Sequence, residues 1–288
     1  MLELFLKRTR YFFSKDNLKT VFQNFFLALG ILWLILEFSA FFFPNFIVRD
    51  SSFFYLAILI SALWAIALSF PPISYSKESS SSNLKIEVKL GDIFSEPSNI
   101  AIGTSNYFDS EYPNIISEHC LKAQFIKRFY DGNHDFLDKE IEASLKEQNI
   151  NGTEDRTKIF GKQIHYPIGT VAVVPFNNHR AFLSVFSEMQ ADKNTVISRK
   201  SIWESLCNLW DAVRRNKSLH SITIPVWGAG FGLAPANRIS LIQLILTSFI
   251  MANKEWTVSQ KLIIMIYEMD YNPREMLKIK KLIDTINF

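Results

Sequence analysis

Cysteine is nearly absent. Cys120 and Cys207 are the two in the chain, and neither has a Cys-x-x-Cys partner. A disulfide scaffold is therefore excluded, a reducing compartment fits, and both thiols are expected to be packed side chains. The five histidines, His119, His134, His165, His179 and His220, show neither His-x-x-x-His nor another metal-ligand spacing. No metal site and no resident cofactor are expected. An excess of one charge is also lacking: 31 Lys and Arg against 28 Asp and Glu leave a net +3. With no basic stripe interleaved with aromatics beyond the N-terminus, nucleic acid is a poor partner.

Only 10 glycines occur, and three alternate at Gly228, Gly230 and Gly232. They follow the apolar run Ile222, Ile224 and Val226, which suits a buried strand, and precede Pro235, pre-set for the first turn of a helix over residues 236–251. Glycine tolerates positive φ and lets backbone N–H groups close on an anion at a helix N-terminus, which is how proteins hold phosphates. A plain strand-to-helix turn is the alternative. The dinucleotide fingerprint Gly-x-Gly-x-x-Gly is not met, because Leu233 stands where its last glycine belongs and the loop lies late in the chain.

What the chain has in excess is phenylalanine, 26 in all and concentrated toward the N-terminus. Residues 1–20 carry Lys7, Arg8, Arg10, Lys15 and Lys19 against Glu3 and Asp16, and read as a basic interfacial segment. Residues 21–43 are apolar except Gln23, Asn24, Glu37 and Ser39, and at about 1.5 Å per residue reach roughly 34 Å, enough for a hydrocarbon core of about 30 Å. Residues 53–70 carry no charge and end at Pro71-Pro72. Two spans within 21–72 are expected. The basic residues ahead of the first span place both termini in the cytosol and the short connector outside. Glu37 either snorkels to the interface or, with Gln23 and Asn24, faces other spans in an assembly. A buried helical hairpin of a soluble domain is the competing reading.

Residues 73–83, rich in serine, read as a flexible linker, and a soluble domain follows over 84–288. Its strands are expected at 84–90, 100–103, 170–174, 182–186, 221–226 and 262–267, and its helices at 115–129, 135–148, 201–215, 236–251 and 273–286. Trp203, Leu206, Cys207, Trp210 and Val213 form one apolar helix face for core packing. The alternation of strand and helix predicts a three-layer α/β/α domain.

Three short stretches lie in order: Gly91-Asp92-Ile93, then Ala101-Ile102-Gly103-Thr104-Ser105-Asn106, then Pro225 through Gly232. Together they resemble the macro domain, and with two N-terminal spans the chain is similar to the ThsA-like transmembrane macro-domain effectors of the Thoeris anti-phage systems. The fold class expected is thus α/β, two transmembrane helices followed by a three-layer macro domain. The resemblance implies that Asp92 accepts from an adenine amino group, with the Ile93 backbone supporting the ring. It implies that Asn106 lies near the distal ribose, that Gly228, Ala229, Gly230 and Gly232 hold the diphosphate, and that Phe231 stacks on the distal sugar. Asp92 as a turn cap and Asn106 as an Asx turn are the bland alternatives.

Hydrolytic members carry Asn-Ala-Ala-Asn followed by glycines. Here Gly103 replaces the first Asn, and Phe108-Asp109-Ser110-Glu111-Tyr112-Pro113 replaces the glycines. No catalytic residue is therefore assigned, and an ADP-ribosyl hydrolase is the alternative reading. Asp109 and Glu111 are expected to select a ligand bearing a cationic group. The resemblance further implies that the signal is ADP-ribose or an amino-acid conjugate of it, made from NAD by a TIR-domain enzyme. The other partners it implies are the lipid bilayer and further copies of the chain. A purely structural membrane anchor is a third reading, which leaves the glycine loop unexplained.

Overall fold

The computed structural model describes residues 2–42, 51–79, 83–190, 194–216, 221–229 and 237–286. The chain divides into two units, Met1–Ile73 with Tyr271–Lys278, and Ser74–Asp270 with Ile279–Phe288.

The first unit is helical. A short amphipathic helix, α1 (Leu2–Phe12), precedes α2 (Lys15–Phe42) and α3 (Ser51–Ser69), and the last two pack on each other. Small residues make that seam: Ala28 on α2 and Ala57, Ser61 and Ala65 on α3 are buried. The polar groups facing the seam are satisfied within it. Asn17 Nδ2 donates to the carbonyls of Phe12 and Ser69 (3.2 Å each), Asn24 Nδ2 to Ser69 Oγ (2.9 Å), and Ser61 Oγ to Ala57 O (2.7 Å). Asn24 is thus spent inside the hairpin rather than presented to other spans. The remaining surface is apolar and open, with Phe22, Phe26, Leu27, Trp33, Leu34, Phe38 and Phe41 all exposed. A helix apolar all round with its outer face uncovered is ill-suited to water. Both α2 and α3 are long and apolar enough to cross a membrane.

The second unit is built on a mixed sheet. Its strands are β1 (Ser74–Glu78), β2 (Lys85–Leu90), β3 (Asn99–Ser105), β6 (Val171–Phe176), β7 (His179–Met189), β8 (Thr195–Val196), β9 (Ile222–Pro225) and β10 (Lys261–Ile266), with β4 (Thr153–Glu154) and β5 (Ile164–His165) forming a separate ribbon. The order is β1-β2-β10-β9-β3-β7-β6, with β8 beside β7. The central five strands, β2, β10, β9, β3 and β7, are parallel, while β1 and β6 run antiparallel at the edges.

Strand β1 corrects the expected linker. Ser74 through Glu78 pair with Lys89 through Lys85, and Lys77 Nζ caps carbonyls of Ile283, Asp284 and Ile286 (3.3, 2.9 and 2.7 Å). The backbone ladder needs no apolar side chain, so a polar stretch serves at an open edge.

The helices are α4 (Leu121–Phe129), α5 (His134–Glu147), α6 (Arg199–Arg215), α7 (Arg238–Glu255) and α8 (Pro273–Thr285). Helices α4 and α5 cover one face through Phe125, Ile126, Leu137 and Ile141, packed on Ile100, Ile102, Leu183 and Val185. The opposite-pointing residues of β7 meet α6, and Trp210 of α6 packs edge-on against Phe249 of α7 at 5.1 Å. This is the three-layer α/β/α arrangement expected. On α6 the buried stripe is Ile202, Ser205, Leu206, Leu209, Trp210, Ala212 and Val213, so Trp203 is half-buried and Cys207 is exposed, contrary to expectation. Cys120 is half-buried and caps α4.

Candidate functional site

Parallel strands in an open α/β sheet present their carboxyl ends along one edge, where ligands of such sheets bind. Here that edge gathers three separate sequence segments. Asp92 and Ile93 follow β2, Gly228 and Ala229 follow β9, and Asn106 follows β3, in the order of the strands across the sheet. From β2 to β3 is three strand spacings, about 14 Å at roughly 4.8 Å each. Gly228 has φ of 83°, and Ala229 N closes a turn on Val226 O at 3.3 Å. Gly230, Phe231 and Gly232 lie outside the described residues.

Asp92 is held on two sides. Its Oδ1 accepts from Phe94 N at 3.1 Å, capping a single 3-10 turn, and its Oδ2 accepts from Arg128 Nη1. The Arg128 guanidinium also lies over the Phe94 ring, 4.9 Å from its centroid. The cap reading of Asp92 is therefore correct as far as it goes. Both partners of the ion pair are more than a third exposed, where such a pair is worth little and can open to a ligand. Ile93 is buried, which leaves its backbone as the group to offer a ring.

Asn106 sits at an irregularity between β3 and β7, where Thr104 pairs with Val185 but Ser105 with Ser187. Its N–H donates to Ser187 O (2.9 Å), its carbonyl accepts from Tyr166 N (2.8 Å), and its Oδ1 accepts from Met189 N (2.9 Å). The side-chain oxygen is thus turned toward β7. The amide NH2 is left without a partner among the described residues, so Asn106 is equipped to donate to a ligand.

Gly103, expected to replace the first Asn of hydrolytic members, is closed off by an aromatic ring of the neighbouring strand. The Phe186 ring stacks on Trp227 at 5.4 Å and lies against Gly103.

Asp109 does not meet the expectation placed on it. It is 1% exposed, bonded by Lys158 Nζ and by the Lys162 N–H, each at 2.8 Å. Gly161 at φ 68° allows this approach, since a Cβ there would lie 2.2 Å from Asp109 Oδ1. A buried carboxylate with its own ammonium has no charge to offer a ligand. Glu111 accepts from Asn114 Nδ2 at 2.7 Å and is half-buried.

Other carboxylates do border an open cavity. About 410 Å³ in volume, it is lined by Asn106, Tyr107, Asp155, His165, Tyr166 and Glu188 among others. Asp155 is held down to about 2 by Thr157 and by the Tyr107 hydroxyl, which donates to it at 2.6 Å. Burial and that same bond push Tyr107 up to about 12. The cavity thus combines a fixed negative charge with aromatic rings. Sequence spacing gave no sign of it, because Asn106, Asp155, His165 and Glu188 come from four segments of the chain.

A second buried cation, besides Lys158, lies on α4. Lys122, in the first turn of α4, is 4% exposed and donates to Thr104 Oγ1 at 2.7 Å, with no ion pair among the described residues. Burial draws it down to about 8. Trp227 Nε1 and Ser105 Oγ, at the ends of β9 and β3, are buried without partners among the described residues.

One titratable cluster escaped the sequence reading: ligand atoms of His134, Asp135 and Asp138 come within 4.8 Å of one another at the start of α5. Asp138 is already engaged by Lys162 Nζ and Ser110 Oγ, each at 2.6 Å. The arrangement serves as an ion-pair network.

Comparison with known proteins bears on the same region. A family model described as "Thoeris protein ThsA, Macro domain" matches residues 86–267. Two solved structures of an Oceanobacillus iheyensis macrodomain, one with MES bound and one with ADP, are each similar at 16% identity over 74% of this chain and 100% and 99% of theirs, with a TM-score of 0.48. No curated protein matches the sequence.

Proposed function

We propose, from the premise that this chain belongs to the Thoeris ThsA macro-domain family, that it is a membrane-bound anti-phage effector. Its macro domain binds an ADP-ribose-type nucleotide made from NAD by a TIR-domain enzyme, and its two apolar helices then disrupt the membrane. The observation that carries this reading is the linear order of Asp92, Gly228 and Asn106 along the carboxyl edge of β2, β9 and β3. Adenine, diphosphate and distal ribose follow one another in the same order.

The acidic aromatic cavity next to Asn106 supports a conjugate whose terminal group is cationic, with Asp155 and Glu188 taking the part first expected of Asp109 and Glu111. The absence of an asparagine at Gly103, a position closed by Phe186, supports a binder over an ADP-ribosyl hydrolase. The basic N-terminal segment supports cytosolic termini in the cell membrane. Two spans alone enclose no aqueous path, so disruption requires several copies.

Calorimetry with the full-length protein in liposomes tests the reading. ADP-ribose or its amino-acid conjugates should bind. Asp92→Asn, which keeps an oxygen for the Phe94 cap but loses the charge, should weaken binding about tenfold or more. Unchanged affinity in the folded variant places the adenine elsewhere.

A further inference from the structure

Two groups of polar residues stand out in the helical hairpin. Those facing the seam, Asn17, Asn24, Ser61 and Ser69, take part in hydrogen bonds inside the hairpin. Gln23 and Glu37 do not. Both are exposed on α2, and neither has a hydrogen bond or ion pair among the described residues.

These two residues are spaced with Gly30 at 23, 30 and 37, a strict interval of seven. At about 100° per residue, positions seven apart stay within roughly 20° of one line, so all three share one face of α2. Asn17, Asn24 and Ala28 lie on the opposite side, toward α3. Glu37 is the single charged residue between Lys19 and Phe42.

Gly30 points the same way independently. Glycine weakens a helix interior, and it is usually justified by something close against it. Here an added Cβ would meet nothing within 4 Å. The hairpin itself therefore gives no reason for a glycine, whereas a second helix approaching that face closely would.

We propose that Gln23, Gly30 and Glu37 form a self-association face through which α2 of one copy packs in parallel on α2 of a second copy. The inference rests on the membrane reading above. A second copy is the matching occupant for a chemical reason. Lipid tails offer Gln23 and Glu37 no hydrogen bond, while the same stripe on a parallel copy related by a two-fold axis sets Gln23 against Gln23, Gly30 against Gly30 and Glu37 against Glu37. Amides pair in this way, and adjoining carboxyls do so by sharing a proton. An interval of seven is the repeat of helices that coil together left-handedly. Leu34 and Phe26 flank the line and supply apolar contact.

Disulfide cross-linking of the full-length protein in liposomes tests the proposal. In a background carrying Cys120→Ser and Cys207→Ser, a single cysteine at Leu34 should cross-link two copies on mild oxidation, and one at Ala28, toward α3, should not. Gly30→Leu, which has room within one chain, should still insert and still bind nucleotide but lose the Leu34→Cys cross-link; Glu37→Gln should keep it. Equal yields from both cysteines, or an unchanged yield with Gly30→Leu, overturn the self-association face. Recovery of the parent chain as a soluble protein instead overturns the membrane reading, and the inference with it.

Discussion

The Phe186 ring stands so close over Gly103 that a Cβ at position 103 would lie 2.5 Å from Cε1 and 2.8 Å from Cδ1. The two residues belong to neighbouring parallel strands, β7 and β3. The aromatic ring is held in turn by its stack on Trp227. A side chain at 103 therefore requires the Phe186–Trp227 stack to move.

Restoring the hydrolase-type asparagine tests this directly. Gly103→Asn alone should destabilise the protein by about 1–3 kcal/mol, the usual cost of overpacking. Adding Phe186→Ala should remove much of the steric part, so that the two changes are not additive. Urea unfolding of the single and double variants gives the comparison. Release of ADP-ribose from a modified protein by the parent chain, lost on Asn106→Ala, would favour the hydrolase reading.

The buried pair of Asp109 and Lys158 makes a separate prediction. Asp109→Ala leaves a buried ammonium without its carboxylate and should cost about 3–5 kcal/mol, whereas replacing both residues with apolar ones should cost less. Nucleotide affinity in the double variant should match the parent, because neither group is offered to ligand. A selective loss of affinity in the folded double variant would return Asp109 to the site.

Lys122 predicts a pH dependence whose sign follows from its lowered value. Burial draws it to about 8 from an ordinary 10.5, with opposing contributions from Cys120, Asp109 and Asp138 that raise it and Lys162 that lowers it further. Between those two values the unfolded chain holds a proton that the folded chain has released. Stability should therefore rise with pH across this window, relative to Lys122→Met, and lose that difference in slope below it. Unfolding free energies of both proteins at pH 7, 8, 9 and 10 provide the check. Parallel curves would mean that Lys122 keeps its proton in the folded state.

Much of the architecture was legible because it is local. Apolar runs such as those around Ile224 and Leu262 specify buried strands wherever they fall, and two long apolar stretches specify helices with no core of their own to enter. The glycine loop, Asp92 and Asn106 were also readable as types of residue at the ends of strands. The strand Ser74–Glu78 was not, since its half-buried positions are Tyr75 and Lys77, which give no apolar alternation, and the strand is created by pairing with β2. Nor was the fate of the carboxylates. Asp109 meets Lys158 from 49 positions away, and Asp155 reaches Tyr107 from 48. Which acid is neutralised and which remains to line a cavity depends on distances that chain order does not contain. Composition and periodicity determined the two long apolar helices and the core strands of this protein. Tertiary packing alone decided that Phe186 closes Gly103, that Asn106 turns its side-chain oxygen to β7, and that the acidic cavity lies beside it, because burial and pairing are properties of neighbours in space.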